Sequence, residues 1–233
     1  DVGKYLKSTV TATNEGGSAS STSAATFQIA KATPIFSTWA SVTKTFGDTN
    51  YTVTAPTVTG SLAGSFAYSS SNSSVISISG STFSVAGAGT ATITATFTPA
   101  DSASYNSATT TNTVTVAKAN QAALSITTTT ASYGSPLTLA TNGGSGGGLV
   151  TYVYAAGTTT CTLSSGVLTA AATGTCLVTA TKATDDNYSA ISSSQTTITF
   201  TAGSTTATIT IADGSLVFRQ AKLISASASV AGK

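Results

Sequence analysis

The chain contains a long internal repeat, and the length of this repeat limits the folds that are open to it. The segment GTATITAT at 89–96 returns as GTCLVTAT at 174–181, and the preceding stretches 74–87 and 161–172 also match each other. A solenoid unit has a period of about 20–50 residues and packs against its neighbours, whereas this period is about 85 residues. The repeat therefore predicts self-contained domains joined in tandem.

The hydropathy pattern inside the repeat predicts β-strands. Ala91, Ile93, Ala95 and Phe97 alternate with threonines, and the segment TVTV at 113–116 alternates in the same way. A period of two is typical of a half-buried strand, and Thr suits the solvated face because its branched side chain fits a pleated sheet. More than a third of the 233 residues are Thr or Ser and only 7% are charged, so hydroxyl groups supply the polar faces. The chain is expected to be all-β.

Each complete repeat has room for the seven short strands of an immunoglobulin-like β-sandwich. In the first repeat the candidate strands are 35–37, 51–54, 66–69, 75–79, 82–85, 90–97 and 111–116. In the second repeat the core candidates are Leu124, Ile126, Leu137, Leu139, Val150, Tyr152, Leu163, Leu168, Val178, Ile198 and Phe200. The glycine run at 143–148 is interpreted as a flexible hairpin loop and not as a phosphate-binding loop, because no helical period follows it.

The repeat boundaries divide the chain into four segments. Residues 31–117 and 118–201 are whole repeats, 1–30 is the closing half of a repeat, and 202–233 is the opening half of another. Each half-domain would carry an unsatisfied apolar face and an open strand edge. Either the natural chain continues in both directions, which we favour, or the ends of successive subunits complete one another and build a filament.

Both cysteines lie in the second whole repeat. In the register of the repeats, Cys161 corresponds to Val75 and Cys176 corresponds to Ala91, and both are inward-facing positions. A zinc site would lack ligands, because the chain has no His and no further Cys. The pair is either a disulfide, which we favour, or two buried thiols. A stable disulfide would imply an oxidising, extracytoplasmic compartment.

The residue content argues against catalysis and against a cofactor. Without His, a Ser-His-Asp or Cys-His arrangement cannot form, and the seven Asp and Glu residues are dispersed apart from Asp185-Asp186. The net charge of +2 comes from scattered lysines and Arg219, with no basic stripe that would bind nucleic acid. The sequence contains no run of 18 apolar residues, so no membrane span is predicted. We therefore expect that the chain is not an enzyme and that it has no catalytic site, no metal site and no cofactor.

A carboxylate and a tyrosine recur just before the last strand of each repeat. Asp101 precedes Tyr105, and the sequence match pairs them with Asp186 and Tyr188. The stretch 185–187 matches no calcium-loop spacing, so a turn in which Asp accepts bonds from its own backbone is preferred. Because a tyrosine recurs at this place in each repeat, we expect Tyr105 and Tyr188 to have a structural role similar to the tyrosine corner of β-sandwiches.

Three further aromatic residues are candidates for contact with a ligand. Trp39 is the only Trp and has no counterpart in the second repeat, so it either packs over the edge of the first sandwich or anchors an interface. Together with Tyr152, Tyr154 and the glycine run, it would form the contact surface of an adhesin module. Aromatic side chains that face outward on one side would favour such a module, and inward-facing ones would favour a stalk.

Several motifs resemble those of a known family. They are KTFGD at 44–48, SSNSSV at 70–75, GAGTATITA at 87–95, DSASYNSA at 101–108, SYG at 132–134 and DNYSA at 186–190. They resemble bacterial immunoglobulin-like repeats, and most closely the MBG-type repeats of very large bacterial surface proteins. The resemblance covers nearly the whole chain and implies the fold more strongly than the function, because such repeats serve in stalks, adhesins and coats alike. The cysteine pair departs from the first repeat.

These observations lead to one expectation and two alternatives. We expect a non-enzymatic stalk or spacer of a large extracellular or cell-surface bacterial protein, with neighbouring repeats or like subunits as partners. The alternatives are an adhesin module that binds a surface glycan or a protein, and the subunit of an extracellular filament joined by its half-domains. No nucleic-acid partner and no membrane span are expected in this segment.

Overall fold

The computed structural model describes residues 2–203, and these residues form strands and loops without a helix. They fall into two compact units, the first ending at Ala119 and the second beginning at Asn120. The half-repeat expected at 202–233 lies outside the described residues, except for its first two positions. The all-β, immunoglobulin-like class expected for the tandem repeats is confirmed.

Unit 1 begins with a two-stranded hairpin, formed by β1 (Thr9–Asn14) and β2 (Gly17–Thr22). The turn between them is closed by the Asn14 side chain, which accepts a hydrogen bond of 2.9 Å from the Gly16 N–H. On one face, hydroxyl groups pair across the strands, as between Thr9 and Thr22 at 2.8 Å.

The hairpin and the chain segments that flank it carry apolar side chains that face solvent. Leu6 is 59% exposed, Val10 is 68% exposed and Phe27 is 97% exposed. An isolated two-stranded hairpin is at best marginally stable in water. This segment is therefore expected to be the least stable part of unit 1.

The sandwich of unit 1 consists of two sheets. The first contains β3 (Val42–Thr45), β9 (Ala108–Ala117), β8 (Gly89–Pro99) and β5 (Gly64–Ser70), in that spatial order. The second contains β4 (Tyr51–Thr52), β7 (Thr82–Val85) and β6 (Ile76–Ser79), in that order. All pairs are antiparallel except β3 with β9, which is parallel.

The core of unit 1 follows the period of two in the sequence. In β8, Ala91, Ile93, Ala95 and Phe97 are at most 2% exposed, and the threonines between them face the other side. From the second sheet, Phe83 meets this layer with no exposed surface. The interpretation of β8 as a half-buried strand is confirmed.

The first strand of the sandwich in unit 1 lies at a different position from the one expected. The segment 35–37 makes only one isolated bridge, between Phe36 and Val58, and Ile35 is 70% exposed. The strand lies instead at β3, where Val42 aligns in parallel with Val114. The hydrophobic residues at 35–37 favoured a strand there. The actual position of the strand is determined by its pairing with β9, which lies far along the chain.

Unit 2 repeats this plan with more strands. One sheet contains β11 (Thr130–Ser132), β19 (Thr196–Thr201), β17 (Gly174–Lys182) and β14 (Val150–Ala156) in that order, with β18 (Ile191–Ser192) also paired to β17. The other contains β12 (Leu137–Thr138), β16 (Val167–Ala170) and β15 (Cys161–Ser164) in that order. A short ladder joins β10 (Leu124–Ile126) to β13 (Thr141–Gly143). The first strand of the main sheet, β11, again runs parallel to the last, β19.

The core candidates of the second repeat lie in the interior of unit 2. The buried ones are Leu124, Ile126, Leu139, Leu168, Val178, Ile198 and Phe200. Leu137, Val150, Tyr152 and Leu163 are half-buried and pack against this cluster. The sequence therefore identified this core correctly.

Two neighbouring residues of β8 provide a test of the layered core. Replacing Ile93 by Ala removes buried atoms from the layer and is expected to cost about 2–5 kcal/mol of unfolding free energy. Replacing Thr92 by Ala changes the outward face and is expected to cost no more than about 1 kcal/mol. Chemical denaturation followed by the fluorescence of Trp39 measures both. Equal costs for the two variants would contradict the assignment of faces.

Candidate functional site

The cysteines of unit 2 form a disulfide between its two sheets. Cys161 begins β15 in one sheet, Cys176 lies in β17 of the other, and their Cα atoms are 6.3 Å apart. Both residues are buried, at 5% and 0% exposure, as are Val75 and Ala91 at the corresponding positions of unit 1. The disulfide therefore replaces an ordinary apolar contact between the sheets with a covalent bond.

A carboxylate organises the turn before the last strand of each unit. In unit 1, Asp101 Oδ1 accepts hydrogen bonds of 3.1 Å from the backbone N–H groups of Ala103 and Ser104. The side-chain hydrogen bond with Ser104, followed by its backbone bond, lowers the pKa of Asp101. The turn also joins the start of the repeat, since the Ala32 N–H donates to the Ser104 carbonyl at 3.0 Å.

In unit 2 the corresponding carboxylate is Asp185 and not Asp186, which corrects the sequence alignment. Asp185 Oδ1 accepts from the N–H groups of Asn187 and Tyr188 at 2.9 and 2.8 Å, the same two-residue and three-residue steps that Asp101 makes. Asp186 is exposed. Because the two carboxylates are adjacent, the sequence pattern could not distinguish them.

The glycine run is built into this turn and is not a hairpin loop. It connects β13 with β14, which belong to different ladders. Gly147 N–H donates to Asp185 Oδ2 at 2.7 Å, and Gln121 donates to the carbonyls of Ala183 and Ser189 at 3.1 and 2.8 Å. A Cβ at Gly148 would overlap the Ala183 carbonyl, so the close approach of the two backbones requires glycine.

The two recurring tyrosines lie in these turns. Tyr105 and Tyr188 are both half-buried. The Tyr105 N–H donates to the Asp101 carbonyl at 3.2 Å, and Tyr105 bridges in parallel to Ala32 at the start of the repeat. The Tyr188 carbonyl accepts from the Thr184 hydroxyl at 2.7 Å. A structural role for both tyrosines remains our interpretation.

Trp39 lies in unit 1 at the wall of a half-open cavity of about 440 Å³. Its indole N–H donates to the Thr54 carbonyl at 3.0 Å, and its ring lies 6.1 Å from that of Tyr68. Lys44 and Tyr51 also line the cavity, and the Lys44 ammonium lies 4.6 Å from the centre of the Tyr51 ring. Burial raises the pKa of Tyr51, whose hydroxyl has no hydrogen-bond partner among the described residues. Trp39 is thus half-buried against the core of its own sandwich.

Tyr152 and Tyr154 lie two residues apart on β14 of unit 2. The Tyr152 hydroxyl donates to the Leu139 carbonyl at 3.2 Å, and the ring packs against the core. Tyr154 is 44% exposed. Trp39 therefore belongs to one unit, and these two tyrosines belong to the other.

The described residues contain no group of three or more His, Cys, Asp or Glu residues that could hold a metal ion. Over the same residues, no helix is long and apolar enough to cross a membrane. The arrangement offers covalent and hydrogen-bonded reinforcement of a fold.

No known family model matches the chain, and no curated protein matches it. Solved structures of cadherin repeats are similar in fold. Extracellular domains 1–5 of protocadherin gamma B2 are 12% identical with a TM-score of 0.40, over 86% of this chain and 51% of that one. Drosophila N-cadherin EC1–4 is 11% identical with a TM-score of 0.39, over 88% and 59%. Human protocadherin-24 EC1–2 is 10% identical with a TM-score of 0.35, over 74% and 98%. At this level the similarity carries no argument about function.

The disulfide predicts a change in the stability of unit 2 alone. Replacing Cys161 by Val and Cys176 by Ala installs the residues of unit 1 and removes the closure of a loop of about 15 residues, which is expected to cost about 3 kcal/mol. Because the only Trp lies in unit 1, its fluorescence reports that unit, while far-UV circular dichroism reports both. We expect the variant to move only the circular dichroism transition. A shift of the Trp39 transition, or none in either signal, would contradict this role.

The turn assignment predicts different effects for adjacent carboxylates. Replacing Asp185 by Ala removes three hydrogen bonds to an ionised acceptor and is expected to destabilise unit 2 by about 2 kcal/mol. Replacing Asp186 by Ala is expected to change stability by less than about 0.5 kcal/mol, because the residue is exposed. Thermal or urea unfolding by circular dichroism compares them. A larger effect at Asp186 would restore the alignment suggested by the sequence.

Proposed function

We propose that the chain is a tension-bearing spacer of an extracellular protein, without enzymatic activity. In this role, tandem immunoglobulin-like repeats hold other modules at a distance and resist unfolding when the chain is pulled. The resemblance to bacterial surface repeats supports a cell-surface setting. The buried disulfide supports an oxidising compartment, because such bonds persist mainly outside the cytoplasm.

The observation that carries the proposal is the parallel pairing between the first and the last strand of the larger sheet in each unit. β3 pairs with β9 from Val42–Val114 to Thr45–Ala117. β11 pairs with β19 from Thr130–Thr199 to Ser132–Thr201. Pulling a chain by its two ends draws such strands past each other lengthwise. All hydrogen bonds of the pair are then loaded together, and they cannot open one after another.

Neighbouring contacts extend the parallel pair. The Phe46 N–H donates to the Ala117 carbonyl at 2.9 Å, next to the last residue of β3. In unit 2, the Tyr133 N–H donates to the Thr201 carbonyl at 3.0 Å, and the Thr199 N–H donates to the Thr129 carbonyl at 2.8 Å. In each unit, backbone hydrogen bonds thus continue the parallel pair beyond the residues of its ladder.

Single-molecule force spectroscopy of the full chain tests this role with a matched pair of variants. Backbone groups alternate along a strand, so the bond from Phe46 implies that the Lys44 N–H also points to β9 and that the Thr43 N–H points away. Lys44→Pro is therefore expected to lower the unfolding force of unit 1 clearly more than Thr43→Pro.

The disulfide supplies an internal marker in the same experiment. It shields the chain between Cys161 and Cys176, a separation of 15 residues, and reduction should release about 45 Å of additional length in the unfolding step of unit 2. Low unfolding forces in both units, or equal effects of the two proline variants, would contradict a tension-bearing role.

A further inference from the structure

The strand β14 forms one edge of the main sheet of unit 2. Among the described residues it pairs only with β17, along its whole length from Val150 to Ala156. Edge strands usually carry a charge, a proline or a bulge that prevents pairing with another chain. β14 has the sequence VTYVYAA, without charge or proline, and its ladder with β17 is continuous.

The corresponding edge of unit 1 differs from β14 at two positions, where it carries serines. There, β5 occupies the same place at the end of the sheet and pairs with β8. In the common register Ser69 corresponds to Val153, because their partners Thr94 and Thr179 match in the repeat. The next residue, Ser70, corresponds to Tyr154. Val153 is 65% exposed and Tyr154 is 44% exposed, so at these two positions unit 2 presents exposed valine and tyrosine side chains where unit 1 has serines.

The hydrogen-bonding groups on the outer side of β14 follow from a neighbouring contact. The Ala183 N–H donates to the Leu149 carbonyl at 2.9 Å, so Leu149 directs its backbone groups toward β17. In an antiparallel ladder this direction alternates with each residue. The N–H and C=O groups of Val150, Tyr152, Tyr154 and Ala156 therefore point away from β17, toward the open edge.

This edge is complementary to a second copy of itself. We propose that two copies of the chain associate through their β14 strands, antiparallel about a two-fold axis at Val153. Tyr152 would then face Tyr154 of the partner subunit, and Val150 would face Ala156 of the partner subunit. In all four residues the backbone N–H and C=O groups point outward. In the register that centres on Val153, these groups therefore form hydrogen bonds with those of the partner subunit.

The side chains agree with this arrangement. The two copies of Val153 meet on the axis as a non-hydrogen-bonded pair, in which side chains approach most closely. Tyrosines form cross-strand pairs on both sides of the axis, and such aromatic pairs stabilise sheets. A second copy fits better than an unrelated strand, because a two-fold contact requires a self-complementary patch, and T-Y-V-Y-A is nearly symmetric about its central valine.

Light scattering coupled to size-exclusion chromatography tests the association on the full chain. Wild type is expected to elute with the mass of two chains, and Val153→Lys with the mass of one, because two ammonium groups would meet on the axis. Ser69→Lys places the same charge on the edge of unit 1 and is expected to leave the dimer intact. Both positions are exposed, so circular dichroism spectra like that of wild type should confirm folding.

Cysteine cross-linking tests the register. Val153→Cys is expected to give a covalent dimer on mild oxidation, because the residue faces itself across the axis, whereas Thr151→Cys faces Ala155 of the partner subunit and should not. A monomeric wild type would overturn the proposal. A dimer that survives Val153→Lys would also overturn it and would indicate association through the exposed hairpin at 9–22. Equal cross-linking of the two cysteine variants would overturn it as well.

Discussion

The structure depends on one strand in each unit that is paired on both sides and covered on its inner face. In unit 1 this strand is β8, which pairs with β5 and β9, and in unit 2 it is β17, which pairs with β14 and β19. The inward side chains at matching positions are almost completely buried in both units. Burial of this apolar face is the main favourable contribution to folding, and the threonines on the other face keep the strand soluble without charge.

The two units close this common core in different ways. Unit 1 places Phe97 at the end of the layer, and its ring centre lies 5.0 Å from that of Phe66. The corresponding residue of unit 2 is Lys182, and there the glycine run, Gln121 and Asp185 form a hydrogen-bonded turn. Unit 2 thus lacks this aromatic cluster and carries the inter-sheet disulfide, which constrains the unfolded chain by a different physical means.

The sequence predicted those parts of the structure that depend on local alternation. The period of two located β8 and β9 and identified which of their residues are buried. The repeat register placed both cysteines, Cys176 of β17 among them, at inward positions. The predicted position of the first sandwich strand of unit 1 was wrong, because β3 is selected by parallel pairing with a strand about 70 residues away. Local hydrophobicity at Ile35 and Phe36 carries no information about that partner.

Other features depend on spatial order that a single sequence does not display. Asp185 and Asp186 are identical neighbours, and only the hydrogen bonds show which one organises the turn. The open edge of β14 becomes visible only when the strand order is known, although the sequence had already singled out Tyr152 and Tyr154 as contact residues.

Hydrogen exchange followed by NMR on the full chain tests the central role of these strands most directly. Amides that open only with global unfolding exchange slowest. We predict that the amides of β8 and β17 that bond to their neighbouring strands belong to this class, and that those of the hairpin at 9–22 exchange far faster. Exchange in β8 and β17 as fast as in the hairpin would contradict the account.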